Sequence, residues 1–170
     1  GWVPQLKNTN KQNEYYLTDT VTLAVEDGVA VGGVMTHCTQ EMQGANDRWQ
    51  LAQLERSYQL SQARELAYRG VKVLDPYRID VRGNVNIGRD TVIDINVVLE
   101  GEVSIGEHCY IGPHVVIRDT VIGDHVNIDA HTVIDGGDIK DKVQLGPFAR
   151  IRPKTELRAG AKIGSFVEVN

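Results

Sequence analysis

The chain has 170 residues, 41% hydrophobic and 24% charged, with 17 glycines and a net charge of −5. That is the composition of a folded chain, and its acidic balance excludes a broad cationic field for nucleic acid. No apolar run approaches the ~20 residues that span a bilayer, and Gly1 opens no basic-then-apolar signal pattern, so no membrane partner is expected. Cys38 and Cys109 match neither a zinc spacing nor a disulfide framework. Free buried thiols in a reducing cytoplasm are the expectation for both.

In chain order, Tyr16, Leu17, Thr20, Val21, Ala24 and Val25 recur at steps of three and four. This predicts a helix ending near Gly28, and a strand from Val29 through Val31 to Val34 and Met35. The pair reads as the last αβ unit of a larger α/β domain. Residues 1–46 are too few to enclose a core, so their apolar surface is expected to stay exposed.

From Asp47 to Arg69 there is neither Gly nor Pro. Leu51, Leu54, Tyr58 and Leu66 supply an apolar stripe, Asn46 or Asp47 can cap the start, and Gly70 can end the helix. Such a helix spans about 35 Å, a length that suits a rigid strut between domains.

Beyond residue 80 an aliphatic residue recurs every six positions: Val81, Ile87, Ile93, Leu99, Ile105, Ile111 and Ile117. A five-residue step leads to Ile122, Ile128 and Ile134, and a second to Ile139, Leu145, Ile151, Leu157, Ile163 and Val169. The place after each is often Gly or acidic, as at Gly88, Asp94, Gly106, Gly112 and Gly123, where a turn with φ > 0 is expected. Four places on sits a smaller residue, such as Thr91, Val97, Val103, Cys109, Val115, Val121 or Val126. It lies two residues before the next aliphatic, so both point inward on a strand. A helix cannot carry this period, whereas a short strand plus a tight turn, three to a coil of 18 residues, can. Residues 81–170 supply about five coils, and each is stable only against its neighbours.

His108, His114, His125 and His131 all take the fourth, outward place of their repeats. The coil period stacks His108 with His125 and His114 with His131, each pair about 4.8 Å apart on neighbouring faces. Zinc wants three or four convergent ligands, which neither pair supplies by itself.

Four segments carry a resemblance: Glu14-Tyr15-Tyr16-Leu17-Thr18-Asp19, Gly44-Ala45-Asn46-Asp47-Arg48, Ile79-Asp80-Val81-Arg82-Gly83, and Gly146-Pro147-Phe148-Ala149-Arg150-Ile151-Arg152-Pro153. In this order the chain resembles the bifunctional N-acetylglucosamine-1-phosphate uridyltransferase/glucosamine-1-phosphate N-acetyltransferase family, the GlmU family, over essentially all 170 residues. The resemblance implies a mixed fold. Residues 1–48 would be the C-terminal part of an α/β uridyltransferase (nucleotidyltransferase) domain, 49–69 a linker helix, and 70–170 the N-terminal part of a left-handed parallel β-helix acetyltransferase domain. It further implies a cytoplasmic homotrimer built through the β-helix. The expected small molecules are UTP, N-acetylglucosamine 1-phosphate and glucosamine 1-phosphate, with acetyl-CoA as co-substrate and Mg²⁺ at the uridyltransferase site.

By the same resemblance, Asn46 binds Mg²⁺ and the nucleotide sugar, and Arg152 holds the sugar phosphate, for which its bidentate fork is suited. Asn170 falls where the family has a substrate-binding Lys, and it lacks the charge. No Leu-x-x-Gly-x-Gly-Thr-x-Met loop is found, and none of His37, His108, His114, His125 or His131 lies in the family's catalytic His motif. No residue of this chain is therefore expected to be catalytic, and the 170 residues alone are expected to be inactive. The alternatives are another sugar-nucleotidyltransferase/hexapeptide acyltransferase fusion, a γ-carbonic-anhydrase-like zinc protein, and a purely structural trimeric β-helix.

Overall fold

A computed structural model describes residues 1–36 and 42–170, so His37 and Cys38 lie outside the described residues. The chain divides into two compact units, Gly1–Met42 and Gln43–Asn170.

The first unit holds a 3-10 turn at Val3–Gln5 and helix α1, Asp19–Glu26. The Trp2 indole N–H donates to Asp27 at 2.7 Å. The helix begins three residues later than the apolar spacing predicts. The expected strand at Val29–Met35 does not form. A strand needs a partner for its N–H and C=O groups, and no described segment of this unit supplies one. Tyr15, Leu17, Val21, Val25, Val34 and Met35 are exposed, and Ala24 is the one buried apolar side chain among the described residues of this unit.

The second unit opens with helix α2, Arg48–Tyr68, capped by the Asp47 carboxylate, which accepts from the Gln50 N–H at 2.7 Å. Its packed stripe is the expected one only in part, with Leu66 buried and Leu54 half-buried as the spacing predicts. Leu51 and Tyr58 are exposed, whereas Gln59, Ala63 and Leu66 are buried. These three, at i, i+4 and i+7, face the start of the β-structure, and a buried polar residue escapes a search for apolar spacing.

Thirteen strands follow: β1 (Lys72–Val73), β2 (Ile79–Ile87), β3 (Val92–Ile93), β4 (Val97–Ile105), β5 (Tyr110–Ile111), β6 (Val116–Ile122), β7 (Asn127–Ile128), β8 (Val133–Ile139), β9 (Gln144–Leu145), β10 (Arg150–Ile151), β11 (Thr155–Leu157), β12 (Lys162–Ile163) and β13 (Glu168–Val169). All pair in parallel, each with the strand one coil on, as in Val92↔Tyr110 and Tyr110↔Asn127. The result is a parallel β-solenoid with three faces. The first face stacks β1, β3, β5, β7, β9 and β12. Strands β2, β4, β6 and β8 bend through a corner and cover the second and third faces; β10 and β13 extend the second, and β11 extends the third.

The repeating aliphatics fill the interior: Ile93, Leu99, Ile111, Ile117, Ile128, Ile134, Leu145 and Ile151 are all fully buried. Each side chain so buried contributes about 1.5–3 kcal/mol, and only the stack as a whole provides that environment. The second inward column is Thr91, Cys109, Val126 and Val143, with Val97, Val115, Thr132 and Ala149 on the next face. Val121 departs from the expectation and is 57% exposed, while Thr120 is buried in its place. The five-residue step removes one corner residue, so the place two before Ile122 is Thr120, which pairs with Gly137 one coil on. The register between β4 and β6 shifts between Glu100 and Ser104 for the same reason.

The turns also differ from expectation. Positive φ falls on the fourth place of the repeats, at Asp90, Asn96, the four histidines, Lys142, Phe148, Lys154 and Phe166. The glycines after the aliphatics serve a different need. A Cβ on Gly106 would stand 2.2 Å from Asp124 Oδ1 and 2.6 Å from the Gly123 carbonyl carbon, so close coil stacking demands glycine there.

Candidate functional site

Consecutive coils bring residues 17 or 18 apart in sequence side by side. Arg150 lies beside Glu168, and Ile151 beside Val169. The Arg152 backbone N–H donates to the Val169 carbonyl at 3.0 Å, which sets Asn170 next to Arg152 on the rung above. The Arg152 Nε donates to Glu168 Oε1 at 2.5 Å, and Arg150 Nε stands 3.6 Å from the same oxygen. Both guanidinium groups are about half exposed (51% for Arg152, 57% for Arg150), so they remain open to an anionic ligand. The Arg152 guanidinium, with Arg150 behind it, holds the Glu168 carboxyl below the usual carboxylate range.

The expected pair Arg152 and Asn170 is thus adjacent. Glu168 is the member that sequence reasoning missed, although the coil period already pairs Arg150 with Glu168. The arrangement is a fork of positive charge with one internal carboxylate on it, able to grip a phosphate at the guanidinium face that Glu168 leaves open. Asn170 supplies hydrogen bonds at that place but no charge.

Asn46 stands apart from this cluster, just before α2. It is exposed, and its backbone N–H donates to Gln50 Oε1 at 2.7 Å. Asp47 takes the helix cap, leaving the Asn46 amide free of that task. A shallow depression of 340 Å³ is lined by Ala45, Asn46, Asp47, Arg48 and Leu51.

The four described histidines stack in the expected pairs, on two corners of the solenoid rather than on its faces. His108 and His125 have ring centroids 5.1 Å apart and an interplanar angle of 9°. His114 and His131 lie 4.8 Å apart at 8°, and their column continues through Phe148 to Phe166 at the same spacing. The fourth place has φ between 56° and 62° at all four, which puts them at the bends. Parallel rings send their in-plane nitrogen lone pairs in parallel directions, not to one point. Among the described residues, no three His, Cys, Asp or Glu side chains are grouped to hold a metal. Cys109 is buried, and burial pushes its thiol pKa up, the opposite of a reactive thiolate. Among the described residues, no helix is long and apolar enough to cross a membrane.

Residues 84–119 match the family model described as bacterial transferase hexapeptide (six repeats). The chain is 49% identical over 168 residues to the bifunctional protein GlmU of Pseudomonas entomophila (strain L48), covering 99% of this chain and 37% of that protein. It is 50% identical over 167 residues to the bifunctional protein GlmU of Marinobacter nauticus (98% and 37%), and 44% identical over 168 residues to that of Acinetobacter baumannii strain ACICU (99% and 37%). Among solved structures, a mutant of AntD, an N-acyltransferase from Bacillus cereus in complex with dTDP and coenzyme A, superposes with a TM-score of 0.54 at 17% identity. The match covers 65% of this chain and 77% of that one, and shares the fold. The chain spans little more than a third of the length of the GlmU relatives it matches, and over that stretch it is similar to the bifunctional GlmU proteins.

Proposed function

We propose that this chain is part of a bifunctional enzyme that makes UDP-N-acetylglucosamine. Acetyl passes from acetyl-CoA to the amine of glucosamine 1-phosphate, and uridylyl then passes from UTP to the acetylated sugar phosphate with release of pyrophosphate. In this reading residues 1–48 belong to the uridyltransferase domain, 49–69 to the linking helix and 70–170 to the acetyltransferase domain of a cytoplasmic homotrimer. The observation that carries it is the 44–50% identity to GlmU proteins along nearly the whole chain. Coenzyme A bound to AntD, which shares the fold, agrees with acetyl-CoA as the donor.

Arg152 would hold the phosphate of the sugar, with Asn170 beside it and Glu168 restraining the guanidinium. For Mg²⁺ the fit rests on one group. The exposed Asn46 amide offers a hard oxygen ligand, while the Asp47 carboxylate is engaged at the helix cap. When bound, Mg²⁺ would neutralise phosphate charge; Asn46 would orient the nucleotide sugar, and further oxygen ligands would come from outside residues 1–170.

The test uses the full-length protein and both half-reactions. Asn46→Ala is expected to lower uridylyl transfer and leave acetyl transfer at its parent level. Arg152→Ala should do the reverse, by roughly ten- to a hundredfold, the loss of one charge-assisted contact of about 1.5–3 kcal/mol. Equal damage to both activities by either variant would refute these assignments. The 170-residue chain alone should turn over neither substrate pair.

A further inference from the structure

Arg150 and Arg152 leave the solenoid side by side. They are two residues apart on one extended stretch, and their backbone N–H groups donate to the rung above, to the Val167 and Val169 carbonyls at 2.9 and 3.0 Å. Two residues apart on a strand means the same side of the sheet, at a spacing of about 6–7 Å. The two guanidinium groups nevertheless converge, because the Nε of each lies within 3.6 Å of one oxygen, Glu168 Oε1. That oxygen marks a point that both forks reach. Among the described residues neither arginine makes a further ion pair, so the remaining donors of both forks stay open to a ligand.

We propose that Arg150 is the second phosphate-binding cation of the sugar-phosphate site, and that it brings the charge that Asn170 lacks. This rests on the acetyltransferase reading given above and adds a residue to its substrate site. The local charge balance carries it. A phosphate monoester bears about −1.5 to −2 charges near pH 7. Arg152 stands between two carboxylates. Glu168 accepts from its Nε at 2.5 Å, and Asp135, which follows the register partner of Ile151, lies on the rung below. With Asn170 neutral, a phosphate approaching Arg152 alone would meet a surplus of negative charge, and Arg150 removes that surplus. Two converging forks also suit the ligand, since each can donate two parallel N–H groups to a pair of phosphate oxygens. Lys154 is the next cation along the chain, but it lies past Pro153 at a bend with φ of 68°, where the chain turns onto the third face.

Steady-state kinetics of the full-length protein test this, with glucosamine 1-phosphate and acetyl-CoA as substrates. Arg150→Gln should raise KM for glucosamine 1-phosphate roughly ten- to a hundredfold, the loss of one charge-assisted contact, and leave kcat near the parent value. The KM for acetyl-CoA and the uridylyl-transfer rate of the same preparation should stay at the parent level, which marks an intact fold. Adding Asn170→Lys to Arg150→Gln should recover most of the lost affinity, and Lys154→Gln should leave KM unchanged. If Arg152→Ala raises KM for glucosamine 1-phosphate and Arg150→Gln does not, or if Asn170→Lys fails to compensate, the role of Arg150 falls and the site reading stands. A Lys154→Gln effect equal to that of Arg150→Gln would overturn the assignment in favour of a general field of charge. If Arg152→Ala leaves KM unmoved as well, the sugar phosphate binds elsewhere and the reading beneath the proposal falls with it.

Discussion

The Gln59 side-chain amide pairs with the backbone of Val81 as a strand would. Its Oε1 accepts from the Val81 N–H at 2.7 Å, and its Nε2 donates to the Val81 carbonyl at 2.9 Å. β2 is the lowest rung of its faces, so its outer N–H and C=O groups have no strand below them. Such an edge is open to pairing with other chains unless something covers it, and α2 does so here. Replacing Gln59 by Leu should leave two buried backbone groups without partners, at about 1–3 kcal/mol each. Urea unfolding should show the loss as a lower midpoint with an unchanged slope. An unchanged midpoint would mean that the pairing contributes nothing.

The same helix is held by a charge contact that titrates. Arg56 binds the Asp80 carboxylate and donates to the Tyr77 carbonyl at 3.3 Å, while Arg82 binds the other Asp80 oxygen at 2.7 Å. Burial opposes ionisation of Asp80, but the hydrogen bonds from Arg56 and Arg82 outweigh it and lower its pKa below 3.8. A carboxyl with a depressed folded pKa contributes stability that is complete above its ordinary value and fades as pH falls through the lower folded one. Below about pH 4 the parent should therefore lose stability more steeply than Asp80→Asn. Parallel acid titrations followed by circular dichroism would measure this, and curves of identical slope would contradict it.

Two glycines separate crowding from backbone strain. Gly160 has φ of +74° with open space around its missing Cβ, whereas Gly106 lacks a positive φ but has backbone and carboxylate atoms under 3 Å from where a Cβ would be. Gly160→Ala should cost about 1–2 kcal/mol, the strain of the left-handed region. Gly106→Ala should cost more, about 3 kcal/mol or beyond, because coils must separate to admit it. Thermal unfolding of the two variants gives the order directly, and the reverse order would refute the crowding argument.

The stacked histidines bear on the zinc alternative. With rings 4.8 Å apart and within 10° of parallel, His114 and His131 do not converge on one ion, and the next ring in the column is Phe148. Protein purified without a metal-binding tag should carry no stoichiometric zinc. Zinc at one ion per chain that disappears in His114→Ala/His131→Ala would revive a carbonic-anhydrase-like reading.

The repeat was legible from Val81 to Val169 because each aliphatic is placed by a local rule: strand alternation plus a turn of fixed length, which one sequence period records. The same period brought the histidine pairs together and set Asn170 beside Arg152. What depended on partners in space could not be read this way. Val29–Met35 has strand composition but no strand to pair with. Val121 and Thr120 exchange places because a lost corner residue shifts the register, which only the neighbouring rung reveals. Gln59 is buried because the edge of β2 needs a donor and an acceptor, a demand that arises only when α2 and Val81, 22 residues apart, meet. Glu168 stands beside Arg150 by the coil period itself, and its hydrogen bond from Arg152 is the part that only the folded side chains show. Sequence alone determined the elements whose energetics are local and periodic, and tertiary structure decided where hydrogen-bonding groups and charges found their partners.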